Sequence, residues 1–141
     1  MSIEEYAKFA NDNPTCYLAT LDGDQPRVRA MGMWYADETG FYFQAQTVKA
    51  LYRQIQENEK VEVYFCTPKF SRVMRVYGKV KIIDDLEIKK KCLEERPFLK
   101  SMGITEPDDS LLAVFHLYTG EAYFWTMADS MKEAGIPRAK F

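Results

Sequence analysis

The spacing of apolar positions along the chain changes period several times, and each change marks an element. Ile3, Tyr6, Ala7 and Ala10 fall on one face at helical spacing, and Asn11-Asp12-Asn13-Pro14 closes that helix. Residues 15–21 (TCYLATL) read as a strand. Asp22-Gly23-Asp24 supplies hairpin-turn chemistry, because Gly and Asp tolerate positive φ. A second strand is expected over 26–35 and a third over 41–45, the three forming an antiparallel meander. Val48, Leu51, Tyr52 and Ile55 then recur at i, i+3, i+4 and i+7, the stripe of a core-facing helix that Thr47 is placed to cap. Strands follow over 61–67 and 72–83, separated by Pro68, with Gly78 at a bulge or bend of the longer one. A lysine-rich helix over 86–96 is closed by Pro97, and 103–109 is a loop. A final hairpin is expected from 111–118 and 121–126 around Thr119-Gly120, with 127–141 a short helix or tail.

These elements predict a mainly β fold with flanking helices: six or seven mostly antiparallel strands and two or three helices. Short strands at close spacing favour a barrel or sandwich over an open parallel sheet. A length of 141 residues without a linker or repeat is expected to make one domain, and 47% hydrophobic residues suffice for its core. A formal net charge of -2 argues against nucleic acid as the main partner, which calls for a cationic excess. No run approaches the roughly 20 apolar residues of a membrane span. The start, MSIEEYAKF, is acidic where a signal peptide is basic and then apolar, so a cytoplasmic location is expected. Cys16, Cys66 and Cys92 form no CxxC pair and read as reduced thiols. His116, the only histidine, is a poor zinc ligand alone and is expected to pack or hydrogen-bond within a strand.

The candidate chemistry lies in PRVRAMGMWYADETGFYFQAQTVKALYRQI, residues 26–55. Arg27 and Arg29 share a strand face, which would turn Val28, Ala30 and Gly32 to the core. Such a pair is either a solvated, salt-bridged surface or a planar grip for phosphate oxygens. Thr47-Val48-Lys49 opens a helix, where free N–H groups and the dipole attract anions. Gln44 and Gln46 flank the same turn, and their amides suit a heteroaromatic edge or a polar strand end equally. Trp34, Tyr35, Tyr42, Tyr123 and Trp125 are either core residues or stacking surfaces. No GxGxxG, GxxxxGK[ST], HExxH or GxSxG is present, so a bound cofactor would have to supply any chemistry.

The order of YLATLDGDQPRVRAM, GFYFQAQTVKALYRQIQENEKVEVYF, RVYGKVKIIDD, CLEERPFLKSMG and FHLYTGEAYFW resembles the pyridoxamine 5'-phosphate oxidase-like family of FMN-binding split barrels, and within it the small members of unassigned function. The resemblance implies a split barrel that binds FMN at a homodimer interface. Carried over by position, Arg29, Thr47 and Lys49 would hold the phosphate. The backbone of Ala30 and Met31 would run beside the isoalloxazine ring, and Gln44 and Gln46 would lie near the ring and ribityl chain. Arg75 and Trp125 of a second subunit would approach the flavin. The implied activity is a flavin-dependent oxidoreductase, with a nicotinamide as one class of donor. Two departures separate the chain from the true oxidases. Glu59 stands where many relatives have proline, and the C-terminal tryptophan, arginine and histidine pattern is missing. The resemblance also leaves open a non-catalytic flavin carrier or sensor, and a split barrel that binds the deazaflavin F420 or haem.

Overall fold

The period-two stretches become strands in the computed structural model, which describes residues 3–141. Among these residues there are eight strands: β1 (Thr15–Asp22), β2 (Gln25–Gly32), β3 (Tyr35–Asp37), β4 (Gly40–Gln46), β5 (Lys60–Cys66), β6 (Val73–Ile83), β7 (Leu112–Trp125) and β8 (Ala139–Lys140). The helices are α1 (Ile3–Asp12), α2 (Ala50–Glu57), α3 (Leu86–Glu95) and the single turn α4 (Phe98–Ser101). All strand pairs are antiparallel, in the order β2-β1-β5-β6-β7-β4-β3 with β8 beside β7, and the sheet curls into a split barrel.

The expected meander is not formed. The strand foreseen over 26–35 breaks after Gly32, and its second part becomes β3, paired with β4. β2 and β3 therefore lie at opposite ends of the strand order. Two consecutive residues join those ends. The Met33 N–H donates to the Pro14 carbonyl at 2.8 Å, and the Trp34 N–H donates to the Tyr42 carbonyl at 2.9 Å. That stitch satisfies backbone groups that an open edge would leave bare.

The hairpin expected around Thr119-Gly120 is likewise absent. β7 runs through that point as one strand, paired with β6 along its length, with a register shift at Lys79/Val80. Gly120 serves close approach rather than reversal. It faces Gly78, and a Cβ on Gly120 would come within 2.0 Å of the Tyr77 carbonyl oxygen. Residues 127–141 form two short 3-10 turns and β8, in place of the expected helix or tail.

The main core lies between α1 and the barrel interior, around Tyr6, Leu18, Phe41, Phe43, Phe65 and Phe115. A smaller cluster of Trp34, Cys92, Leu93, Leu99, Ile104 and Val114 seats α3 and α4. Asp85 caps α3 by accepting from the N–H groups of Glu87 and Ile88. His116 is 6% exposed, stacks on Tyr42 and bonds through Nε2 to the Thr39 carbonyl, as a packed strand histidine should. No helix among the described residues is long and apolar enough to cross a membrane.

Candidate functional site

Strand alternation on β2 places the two arginines on one face, but that face is the inner one. Arg29 and Met31 are half-buried, whereas Val28, Ala30 and Gly32, expected to face the core, are exposed. β2 ends the strand order, so its far side meets no further strand. Val28 is left 71% exposed.

Arg29 and Arg27 then part company. Arg27 reaches solvent and pairs with Asp22 at 3.6 Å, the salt-bridged surface reading. Arg29 turns inward under α2. Its Nη1 donates to Thr20 Oγ1 at 2.7 Å and to the Leu18 carbonyl at 3.3 Å, and its Nη2 donates to Gln54 Oε1 at 2.7 Å. Every one of these acceptors is neutral. Burial draws the Arg29 guanidinium pKa below its ordinary value, since desolvation disfavours the charged form. The strand thus presents a partly desolvated cation whose charge no carboxylate in this network offsets.

The turn after β4 brings a second cation to the same place. Lys49, expected in the first turn of the helix, is its N-cap residue, and no side chain caps α2. Thr47 does not take the expected capping role. Its hydroxyl donates to the Ser110 carbonyl at 2.7 Å and its N–H to the Leu111 carbonyl at 3.0 Å, which fastens the turn to the segment leading into β7. Val48, placed in the helical stripe, is 78% exposed and precedes the helix; Gln54 is buried on α2 beside Leu51 and Ile55.

Arg29, Ala30, Met31, Gln44, Gln46 and Lys49 all line one cavity of about 470 Å³, together with the start of α2. Thr47 lies outside that lining. Among the described residues, the lining contains three cations, Arg29, Lys49 and Arg96, and no aspartate, glutamate, histidine, cysteine or tyrosine. Gln44 is 8% exposed, and its Oε1 is buried with no partner among the described residues. Gln46 Nε2 lies 3.9 Å from the Met102 sulfur. A buried acceptor left without any partner is costly, so Gln44 Oε1 calls for a donor, from water or from a bound group.

Arg96, Phe98 and Met102, from the end of α3 through α4, wall the cavity and were missed from sequence. Arg96 donates to the Met33 and Gly32 carbonyls at 3.1 and 3.3 Å and lies 5.0 Å from the Phe98 ring centroid. The available signal was two large apolar residues just beyond the helix-closing Pro97. The aromatic candidates lie elsewhere. Trp34, Tyr35 and Tyr42 pack on one another, Tyr42 stacks on His116, and Tyr123 lies under Arg138. Arg75 is held by Glu62 and Glu133, and Arg72 lies over Phe124. A second groove of about 460 Å³ is lined by Ala19, Leu21, Pro26 and Tyr77, with the core residue Val61 at its floor.

A cavity with unpaired cations at one end and an orphaned amide at its side suits a phosphate-bearing ligand with a hydrogen-bonding ring. Comparison with known proteins agrees with this fold. The family model described as pyridoxamine 5'-phosphate oxidase matches residues 2–126. A search of curated proteins finds no match. Among solved structures, the chain is similar to a NimC/NimA family protein from Clostridium acetobutylicum, with TM-score 0.79 and 28% identity, covering 97% of this chain and 91% of that one. It is similar to General Stress Protein 26 from Bacillus anthracis, with TM-score 0.77 and 17% identity over 100% of both chains. It also resembles a structure described as an F420 reductase, with TM-score 0.58 and 24% identity, covering 80% and 90%.

Proposed function

The chain belongs to the pyridoxamine 5'-phosphate oxidase family, and from that premise we propose that it binds FMN in the cavity between β2, β4 and α2, at the seam of a homodimer. The observation that carries this reading is Arg29, a half-buried guanidinium held by neutral acceptors beside Lys49 and an uncapped helix start. A phosphate monoester supplies the missing charge and accepts from these donors. Gln44 Oε1 would accept from a ring N–H and so lose its orphan status, and Gln46 would donate along the ribityl chain. Ala30 and Met31 would present backbone to the ring. Thr47, with both donors engaged elsewhere, would serve by fixing the turn that carries Lys49.

Bound FMN supplies reversible two-electron chemistry at its ring, and the protein's part is to hold, orient and electrostatically tune it. The proposed activity is a flavin-dependent oxidoreductase, with a reduced nicotinamide as donor class. The dimer reading rests on the outer face of the barrel. Val28 is 71% and Tyr17 42% exposed there. The cavity borders β2, the strand at the end of the order, whose free edge is open to a second subunit.

A second reading is a flavin carrier or sensor. One observation favours it: among the described residues, the cavity lining offers no carboxylate, histidine or tyrosine to move a proton. The F420 reductase neighbour keeps a deazaflavin in view as the ligand. Mass spectrometry of the small molecule released on denaturation separates the ligands. FMN mass in a yellow protein is the expected result. A colourless protein that releases nothing and does not take up added FMN contradicts the proposal.

A further inference from the structure

Gln54 occupies a core position of α2 that an apolar residue would fill, and it is only 2% exposed. Thr20, facing it from β1, is 3% exposed. Gln54 Oε1 receives two bonds, from Thr20 Oγ1 at 2.6 Å and from Arg29 Nη2 at 2.7 Å. Two donors converge on that atom, so it is the oxygen of the amide. Thr20 Oγ1 in turn accepts from Arg29 Nη1 at 2.7 Å. The three side chains form a closed triangle that fixes both arms of the guanidinium.

We infer that Gln54, together with Thr20, is a positioning residue that aims Arg29 at a phosphate group while leaving its charge uncompensated, and that it thereby sets the preference for the phosphorylated form of the ligand. A glutamate at position 54 would fit the same space and accept the same bonds. It would also neutralise the guanidinium, because a carboxylate at that distance forms an ion pair. The amide orients the cation without claiming its charge. An apolar residue would leave the guanidinium freer to turn away, with the Nη2 donor that Gln54 takes unmatched. Burial of the triangle strengthens the effect, since a partly desolvated cation is screened less than a surface one. Burial, which lowers the Arg29 pKa, agrees with a cation held only by neutral acceptors.

The inference rests on the FMN reading, and its test separates the two. Ligand-stripped full-length protein is titrated with FMN and with riboflavin, which lacks the phosphate, and flavin fluorescence is followed. In the wild type, FMN is expected to bind more tightly than riboflavin. In Gln54→Glu the FMN-to-riboflavin affinity ratio is expected to fall about tenfold or more, with riboflavin affinity little changed. In Thr20→Val the same ratio is expected to fall severalfold. This variant reads the proposal even where Gln54→Glu does not fold. A wild-type ratio in a folded variant overturns the inference, and so does an equal loss of both ligands, the mark of a purely structural role. A wild-type protein that binds neither flavin refutes the FMN reading itself.

Discussion

Arg27 and Arg29 are chemically identical and two residues apart, yet one is a surface ion pair and the other the centre of the proposed site. The difference lies in partners that sequence spacing does not reveal. Asp22, across the turn, takes Arg27, while Thr20 and Gln54 take Arg29. Period-two alternation correctly put the arginines on one face. It put that face opposite the core, because β2 was expected to bury Val28 and Ala30, and left surface ion pair and phosphate grip as alternatives. His116 shows a residue whose fate was legible, since a lone histidine in an apolar strand has little choice but to pack. Burial pushes its pKa below the ordinary 6.5, and the Thr39 carbonyl opposes that only in part. The sign follows directly. Below about pH 6.5 the unfolded chain binds a proton that the native chain resists, so this contribution is full above that range and is lost as pH falls through it. In urea unfolding the stability of the wild type is expected to drop more between about pH 7 and about pH 5 than that of His116→Gln, which keeps a donor for Thr39 but cannot titrate. Equal losses contradict this assignment.

At the scale of elements, β1, β2, β4, β5, β6 and the three longer helices were readable from periodicity, while β3, β8 and the unity of β7 were not, nor were the exact ends. The helix after β4 begins later than its apolar stripe suggests, because Thr47 bonds to Ser110, a partner 63 residues away. α4 escaped notice because one turn carries no period. The clearest misreading is Gly120, taken as a turn glycine beside Thr119. Glycine marks a reversal or a close backbone approach with the same letter. Only the long register of β6 on β7 shows that the second applies, with Gly78 directly opposite. Gly120→Ala would thrust a methyl against the Tyr77 carbonyl. It is expected to destabilise the fold by about 1–3 kcal/mol and lower the melting temperature by several degrees. An unchanged melting temperature would show that the two strands part without cost.

On the scale of the whole molecule, the fold class and the family were legible because many short motifs occur in one order. The strand order was not, since local hairpin signals say nothing of β1 pairing with β5 or β4 with β7. That order matters for function. It leaves β2 at an edge, sets Arg29 beneath α2, and brings Lys49, Gln44 and α4 around one cavity from segments far apart in sequence. The outer face next to that edge keeps Val28 and Tyr17 exposed, the surface on which a second subunit is proposed to sit. The site thus depends on two cations converging from different elements, and removing both tests that dependence most directly. FMN titration of ligand-stripped wild type and of Arg29→Ala/Lys49→Ala, each checked for folding by circular dichroism, is the decisive measurement. The double variant is expected to bind FMN at least about a hundredfold more weakly. A folded double variant that binds FMN as tightly as the wild type would contradict the proposed phosphate site.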